Sequence, residues 1–305
     1  MRHTYRGGSA AVAVLLTAAI AGCGSDTLDP GGSPSASSQT SVPVTVVKDE
    51  ALAKLVPDDV RKAGTLTVGT DASYAPNEFT VNGNQIKGMD IDLLSAVASK
   101  LGLKLTFQNG NFDSLVGGVA SDKYALGISS FTINPDRLKQ ITMVQYFNAG
   151  TAWAVSKNSS KKVDPNDACG LTVGVQKGTV QIDDLTARSK KCTAAGKPAI
   201  NQIVEDAQAK VTADLIAGKV DAMAADSPVA NWAVAQNAQS LEKVGTMYDA
   251  APYGIAFAKN DTKFAEAVSK ALDALAKDGA YKKILANWSN TEGAVSEFPV
   301  NPQVG

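Results

Sequence analysis

The sequence predicts an α/β protein folded into two lobes, and three observations predict it. "GTLTVGTD" (64–71) followed by "GMDIDLLSAVASKLGLKLTFQ" (88–108) reads strand, helix, strand, which is a βαβ unit with a mostly parallel sheet. "VASDKYALGISS" (119–130) and "LIAGKVDAMAADS" (215–227) both run from a helix end through a lysine turn into a strand of small residues. "GTAWAVSKN" (150–158) and "PYGIAFAKN" (252–260) are alike, and read as the outgoing and returning crossings between lobes.

Leu66 and Val68 alternate with threonines in the first strand. Asp90 is placed to cap the helix that follows, Ile91, Leu94, Ala98 and Leu101 form its apolar face, and Gly102 stops it. Leu103, Leu105 and Phe107 alternate in the next strand. In "GISSFTINPDR" (127–137) a buried strand opens into Ser129, Ser130 and Thr132. Asn134 then caps a helix whose first residue is Pro135, so Arg137 sits at its positive end. Thr179 follows Gly178 at what reads as another helix start. Aligning Lys123 with Lys219 sets Ser130 opposite Asp226, both at strand C-terminal ends, where open α/β sheets bind ligands. In the closing helices Asp261 caps the first, Phe264, Val268, Leu272 and Leu275 line its inner face, and Asp278-Gly279 breaks it. "SEFPVNPQVG" (296–305) reads as disordered or loosely draped.

The start of the chain reads as an export signal: Arg2 and Arg6, the apolar run "AAVAVLLTAAI", then "AGCGS". That run is shorter than the roughly 18–20 apolar residues a spanning helix needs. "IAGC" fits a lipobox, with Cys23 lipidated as the first mature residue. The Gly/Ser/Pro/Thr-rich stretch after it reads as a tether. The expected organisation is a signal over 1–22, a tether over 23–47, a first lobe over 48–154 and 252–290, a second lobe over 155–251, and a tail over 291–305. This describes a lipid-anchored protein on the extracytoplasmic face of a membrane.

Loss of residues 1–22 leaves 27 basic and 30 acidic residues, a formal charge of −3, which speaks against nucleic-acid binding. It also removes His3, the only histidine. Ser-His-Asp hydrolysis, Cys-His proteolysis and His-ligated zinc are thereby excluded. Cys169 and Cys192 remain, and in an exported protein they are expected to pair rather than stay buried thiols. Loop closure would make that bridge contribute about 3 kcal/mol.

From about Leu66 to Trp288 the chain resembles the solute-binding proteins of ABC importers, in the polar-amino-acid group. The landmarks are "VGTDASYAP", "IKGMDIDLLSAVASKLG", "FDSLVGGV", "SSFTINPDR", "VGVQKGT", "VDAMAADSP", "YGIAFAKND" and "DGAYKKILANW", in order. The histidine-, lysine/arginine/ornithine- and glutamine-binding members are most similar. The resemblance implies a type II periplasmic-binding-protein-like fold with two hinge crossings. It also implies that Arg137 grips a ligand α-carboxylate, with Thr179 and the Val180 amide meeting the same group from the second lobe. Ser130 and Thr132 would contact the α-ammonium and backbone polar atoms, and Asp226 would pair with the α-ammonium. Side-chain selection would fall to Asp71, Tyr74, Phe112 and Gln176. One departure is "APNEF", where Asn77 and Glu78 precede Phe79 although the family often has phenylalanine directly after the proline. Ala125, where aspartate is common, is another.

The chemistry stands beside the resemblance. A zwitterion leaving water needs both charges compensated, or desolvation dominates. Arginine offers a planar fork that matches a carboxylate. The expected function is capture of a basic or polar amino acid and its delivery to a membrane permease with its ATPase, by a monomer needing no metal or organic cofactor. Asp71, with Glu78 in the altered loop, favours a basic side chain; a glutamine-like binder is the alternative. An enzyme is not expected, although cyclic-acid dehydratases resemble this fold.

Overall fold

The computed structural model describes residues 44–304. The expected signal, Cys23 and the tether as far as residue 43 lie outside the described residues.

Two short helices, α1 (Glu50–Ala53) and α2 (Asp58–Lys62), lead into β1 (Thr65–Thr70). A small antiparallel sheet follows, made of β2 (Ser73–Tyr74), β3 (Glu78–Val81) and β4 (Gln85–Lys87). α3 (Met89–Leu101) and β5 (Lys104–Asn109) complete the βαβ unit, with Leu66 paired in parallel opposite Leu105. α4 (Phe112–Ala120), β6 (Leu126–Thr132), α5 (Pro135–Gln140) and β7 (Ile141–Ser156) finish the first pass. The second lobe is β8 (Thr172–Gln176), α6 (Val180–Ala194), β9 (Asn201–Glu205), α7 (Gln208–Ile216), β10 (Ala222–Asp226) and α8 (Ser227–Gln236). The chain returns in β11 (Leu241–Ala258), and α9 (Thr262–Lys277) and α10 (Ala280–Asn287) pack back on the first lobe.

One mixed sheet runs β5-β1-β6-β11-β7-β10-β8-β9. Its two long strands are the crossings. β7 and β11 are antiparallel, pairing Phe147 with Tyr253 in the first lobe and Trp153 with Val244 in the second. The register shifts between these stretches, from Val244 to Tyr248 to Ala251, and once more between Tyr253 and Gly254. Such bulges bend and twist a ladder locally, so a single strand pair can serve two differently oriented half-sheets.

Each lobe has its own core. In the first, Val68, Leu94, Val97, Ile255, Val268 and Leu272 are buried between the sheet and α3, α9 and α10. The α9 face is the expected one, with Phe264, Val268, Leu272 and Leu275 all within 2% exposure. Leu272→Ala there would cost about 2–5 kcal/mol. In the second lobe Val173, Val175 and Leu185 form one cluster and Val211, Leu215 and Met223 another. Cys169 and Cys192 are disulfide-bonded beside the first of these.

Two local expectations are corrected. Asp90 does not cap α3: Gly88 holds the cap position, and Asp90 lies inside the first turn, fully buried. Its carboxylate serves a distant strand instead of the helix amides. The tail is not loosely draped as far as residue 304. Phe298 is 2% exposed and meets Tyr281 edge-on at 5.2 Å. Val300 bridges to Val144, and Asn301 Oδ1 accepts from the Met143 amide at 2.8 Å. One aromatic anchor outweighs a run of turn-forming residues.

Candidate functional site

The site is assembled where the strand ends of the two lobes face each other. In the first lobe, Ser130 near the end of β6 has a left-handed conformation, φ 52°. Its amide and hydroxyl both donate to Asp90 Oδ2, at 2.9 and 3.2 Å, and its hydroxyl accepts from Asn77 Nδ2 at 2.8 Å. The Ser130 hydroxyl is therefore directed beneath the strand end. Thr132, half-buried, turns its carbonyl to Arg137.

Arg137 is held in three ways. Asn134 caps α5 through Oδ1, which accepts the Arg137 amide at 2.9 Å, with Pro135 in the first turn. The guanidinium donates to the Thr132 carbonyl at 2.8 Å and, across to the second lobe, to the Gly178 carbonyl at 3.2 Å. It also lies 5.3 Å over the Phe112 ring, which stacks on Phe131 at 5.4 Å. Burial lowers its pKa to about 10, with Asp226 and other acids opposing, so it stays charged at neutral pH. Part of its fork remains for a carboxylate.

In the second lobe Thr179 holds the cap position of α6, but its hydroxyl donates backwards to the Gln176 carbonyl at 2.7 Å. The first amides of α6, Val180 among them, thus have no side-chain cap. Uncapped amides at a helix start attract an anion. Asp226 ends β10 at the start of α8 and likewise does not cap its helix. Its Oδ1 accepts from Gln181 Nε2 at 2.8 Å and its Oδ2 from the Tyr253 hydroxyl at 2.6 Å, while its amide donates to the Tyr74 hydroxyl at 3.4 Å. Burial raises its pKa, while those hydrogen bonds and Arg137 oppose the rise.

A third group joins the lobes at another point. Asp71 Oδ1 accepts from the Ser73 amide at 3.1 Å. Its Oδ2 accepts from the Phe112 amide at 3.0 Å and from Gln176 Nε2 at 2.8 Å. Gln176 Nε2 donates also to the Asp206 carbonyl at 3.1 Å, which fixes the amide's orientation. Its Oε1 is buried without a partner. The lobes touch as well through Lys177 and Asp113 at 2.9 Å, through the Gln208 amide and Ser73 Oγ at 3.0 Å, and through Trp232 against Phe79 at 6.2 Å.

The structure thus brings Arg137, Phe112, Thr132 and Gly178 together at one point, Asp226, Tyr74 and Gln181 at a second, and Asp71 with Gln176 at a third. Glu78 is the member that moves. Expected beside the cleft as a second negative charge, it is fully buried, and its Oε1 accepts from Ser129 Oγ at 3.0 Å. Burial and then Asp90 raise its pKa well above the glutamate range, which disfavours the charge expected there. As the first residue of β3 it faces inward, which loop composition does not reveal. Sequence reasoning also missed Gln181, Tyr253 and Tyr146. The pleat phase of the crossing strands was the only signal for the two tyrosines.

Residues 66–291 match the family described as "Bacterial extracellular solute-binding proteins, family 3". The arginine-binding protein ArgT of Corynebacterium glutamicum is 36% identical over 250 residues, covering 82% of this chain and 82% of that protein. Among solved structures, an ancestral arginine-binding protein bound to arginine is 35% identical with a TM-score of 0.68, covering 74% of this chain and 98% of the other. An ancestral arginine-binding protein bound to glutamine is 34% identical with the same TM-score and coverage. These relatives are binding proteins rather than enzymes. With a matched span reaching from β1 beyond α10, this chain belongs to the bacterial extracellular solute-binding proteins, family 3.

Proposed function

We propose that the protein captures a basic amino acid, arginine first, in the cleft between its lobes and hands it to the permease of an ABC importer. The observation that carries the ligand reading is the pairing of Asp71 with Gln176. The buried Oε1 of Gln176 is an acceptor awaiting a donor, and Asp71 Oδ1 keeps a lone pair. Two acceptors, one of them anionic, suit a guanidinium or ammonium group better than a carboxylate. The α-carboxylate then meets Arg137 and the amide of Val180 with Thr179, and the α-ammonium meets Asp226. Ser130 and Thr132 shape the first-lobe wall, and Tyr74 and Phe112 flank the aliphatic stem. The names of the relatives support arginine.

Lobes bounded at 48–154 with 252–290, and at 155–251, would close about the paired crossings. Lipidation of Cys23 would hold a monomer near its permease and ATPase at the extracytoplasmic face. Glutamine is the second reading, because Asp71 and Gln176 can also receive an amide.

Calorimetry with arginine, lysine, glutamine and glutamate tests the choice. Arginine should bind most tightly, and Asp71→Asn should weaken arginine and lysine by about 1.5–3 kcal/mol while leaving glutamine little changed. Tighter wild-type binding of glutamine or glutamate, or unchanged arginine affinity in Asp71→Asn, defeats the basic-ligand reading.

A further inference from the structure

Glu78 and Asp90 are both fully buried under the first-lobe half of the cleft, and no ligand contact accounts for them. Nearly every polar atom around them has an assignment. Asp90 Oδ2 accepts from the Ser130 amide, the Ser130 hydroxyl and, at 2.6 Å, the Tyr146 hydroxyl. Glu78 Oε1 accepts from Ser129 Oγ, which itself accepts from the Asp71 amide at 3.0 Å. Two oxygens are left over, Glu78 Oε2 and Asp90 Oδ1, one on each acid.

The two carboxyl groups lie within reach of a mutual hydrogen bond. Two carboxylates cannot make that bond, because both would be acceptors. One proton between them supplies the missing donor. The backbone enforces the approach. At Gly88, with φ 144°, an added Cβ would lie 2.0 Å from the Asn77 carbonyl oxygen, so the start of α3 abuts β3 directly. The titratable groups facing the pair are Asp71 after β1, Tyr74 of β2 and Tyr146 of β7, and none supplies a positive charge.

We propose that Glu78 and Asp90 hold one proton between them and act as positioning residues, fixing the Ser129–Ser130 strand end in the shape that receives the ligand. The inference rests on the cleft reading above for its ligand arm alone. Ser130 sits in a left-handed conformation that is unfavourable for a non-glycine residue, and its two bonds to Asp90 offset that strain. Ser129 carries the effect onward to the backbone of Asp71. Removal of the proton leaves two anions in contact within a low dielectric, which drives β3 from α3 and releases both serines.

Burial is the largest cause for both acids, raising Glu78 well above its usual range and Asp90 to about 6, in line with a proton kept by the pair. The sign follows. The unfolded chain ionises Glu78 near pH ~4.3. The folded state holds the proton longer, so the group's stabilisation is full below that pH and lost as pH climbs to the raised value.

The test compares wild type, Glu78→Ala and Glu78→Gln by arginine calorimetry and by ligand-free melting, from neutral to alkaline pH. Glu78→Ala should lose at least about tenfold in affinity at neutral pH. Glu78→Gln, whose amide can accept from Ser129 and donate to Asp90 with no proton to lose, should restore binding. Above the raised value, wild type should lose about tenfold more per pH unit than Glu78→Gln, and its melting temperature should fall away from the variant's. The ligand's own ammonium titrates equally in both. Parallel profiles overturn the proposal, as does failure of Glu78→Gln to restore binding. Infrared spectra of wild type should show a protonated carboxyl band at neutral pH that vanishes in alkali. Its absence overturns the proposal whether or not the variants fold. If wild type binds no amino acid, the functional reading fails, and melting and the infrared band still decide the pair.

Discussion

The two lobes meet at one site but are built differently. The first lobe buries large side chains, among them Trp288, Tyr281, Phe257 and Phe298, and wraps them with the returning helices and the C-terminal segment. The second is lined largely by alanine and valine along β10 and α8, and is the lobe with the disulfide. Their polar groups differ in the same direction. Asp71, Ser129 and Glu78 form one buried hydrogen-bonded chain under the first-lobe wall, and Asn77, Ser130 and Asp90 form a second beside it. The second-lobe groups are short local devices: a helix start, two glutamines and one aspartate. The difference teaches that one half of a closing site can be a rigid platform while the other carries simple, forward-facing groups.

The sharpest way to break that contrast is Arg137→Ala. Ligand affinity should fall by roughly 2–4 kcal/mol, because a carboxylate is left unpaired in a closed cleft, while the melting temperature holds. Near-wild-type affinity by calorimetry would remove Arg137 from the site. A large loss of stability would mean that the platform depends on its own binding charge.

Next comes the staple. Replacing Cys169 and Cys192 with serine should lower stability by about 3 kcal/mol, read by chemical denaturation, with arginine affinity much less affected. An unchanged denaturation midpoint would show that the alanine-rich lobe stands without covalent help. The smallest effect belongs to the latch between the lobes. Lys177 is about half-exposed and meets Asp113 at 2.9 Å, so Lys177→Gln should weaken binding by a few-fold at most. High salt should erase that difference, and a salt-independent loss would assign Lys177 a role in holding ligand.

Legibility followed the same division. The helix start around Asn134 and Pro135, the turn before Thr179 and the strand end at Asp226 were readable because each is signalled by adjacent residues. The crossings were readable because β7 and β11 repeat a similar pattern. The pairing of Glu78 with Asp90 was not, since it depends on how closely β3 approaches α3, and local patterning does not carry that distance. The docked tail escaped for a related reason: Phe298 finds its place only once Tyr281 has been positioned by α10. Cross-cleft contacts such as Gln176 with Asp71, 105 residues apart in sequence, lie beyond any local signal.

The shared strands have a mechanical consequence. β7 and β11 remain hydrogen-bonded to each other on both sides of the crossing, with most of the irregular register between. A ribbon clamped at both ends resists sliding far more than flexing. If the lobes close as proposed, such a ribbon would return them in the same alignment, cycle after cycle. Reassembly of the cleft would then need no search over translations: Gly178 would come back to Arg137, and Gln176 to Asp71, along a single coordinate.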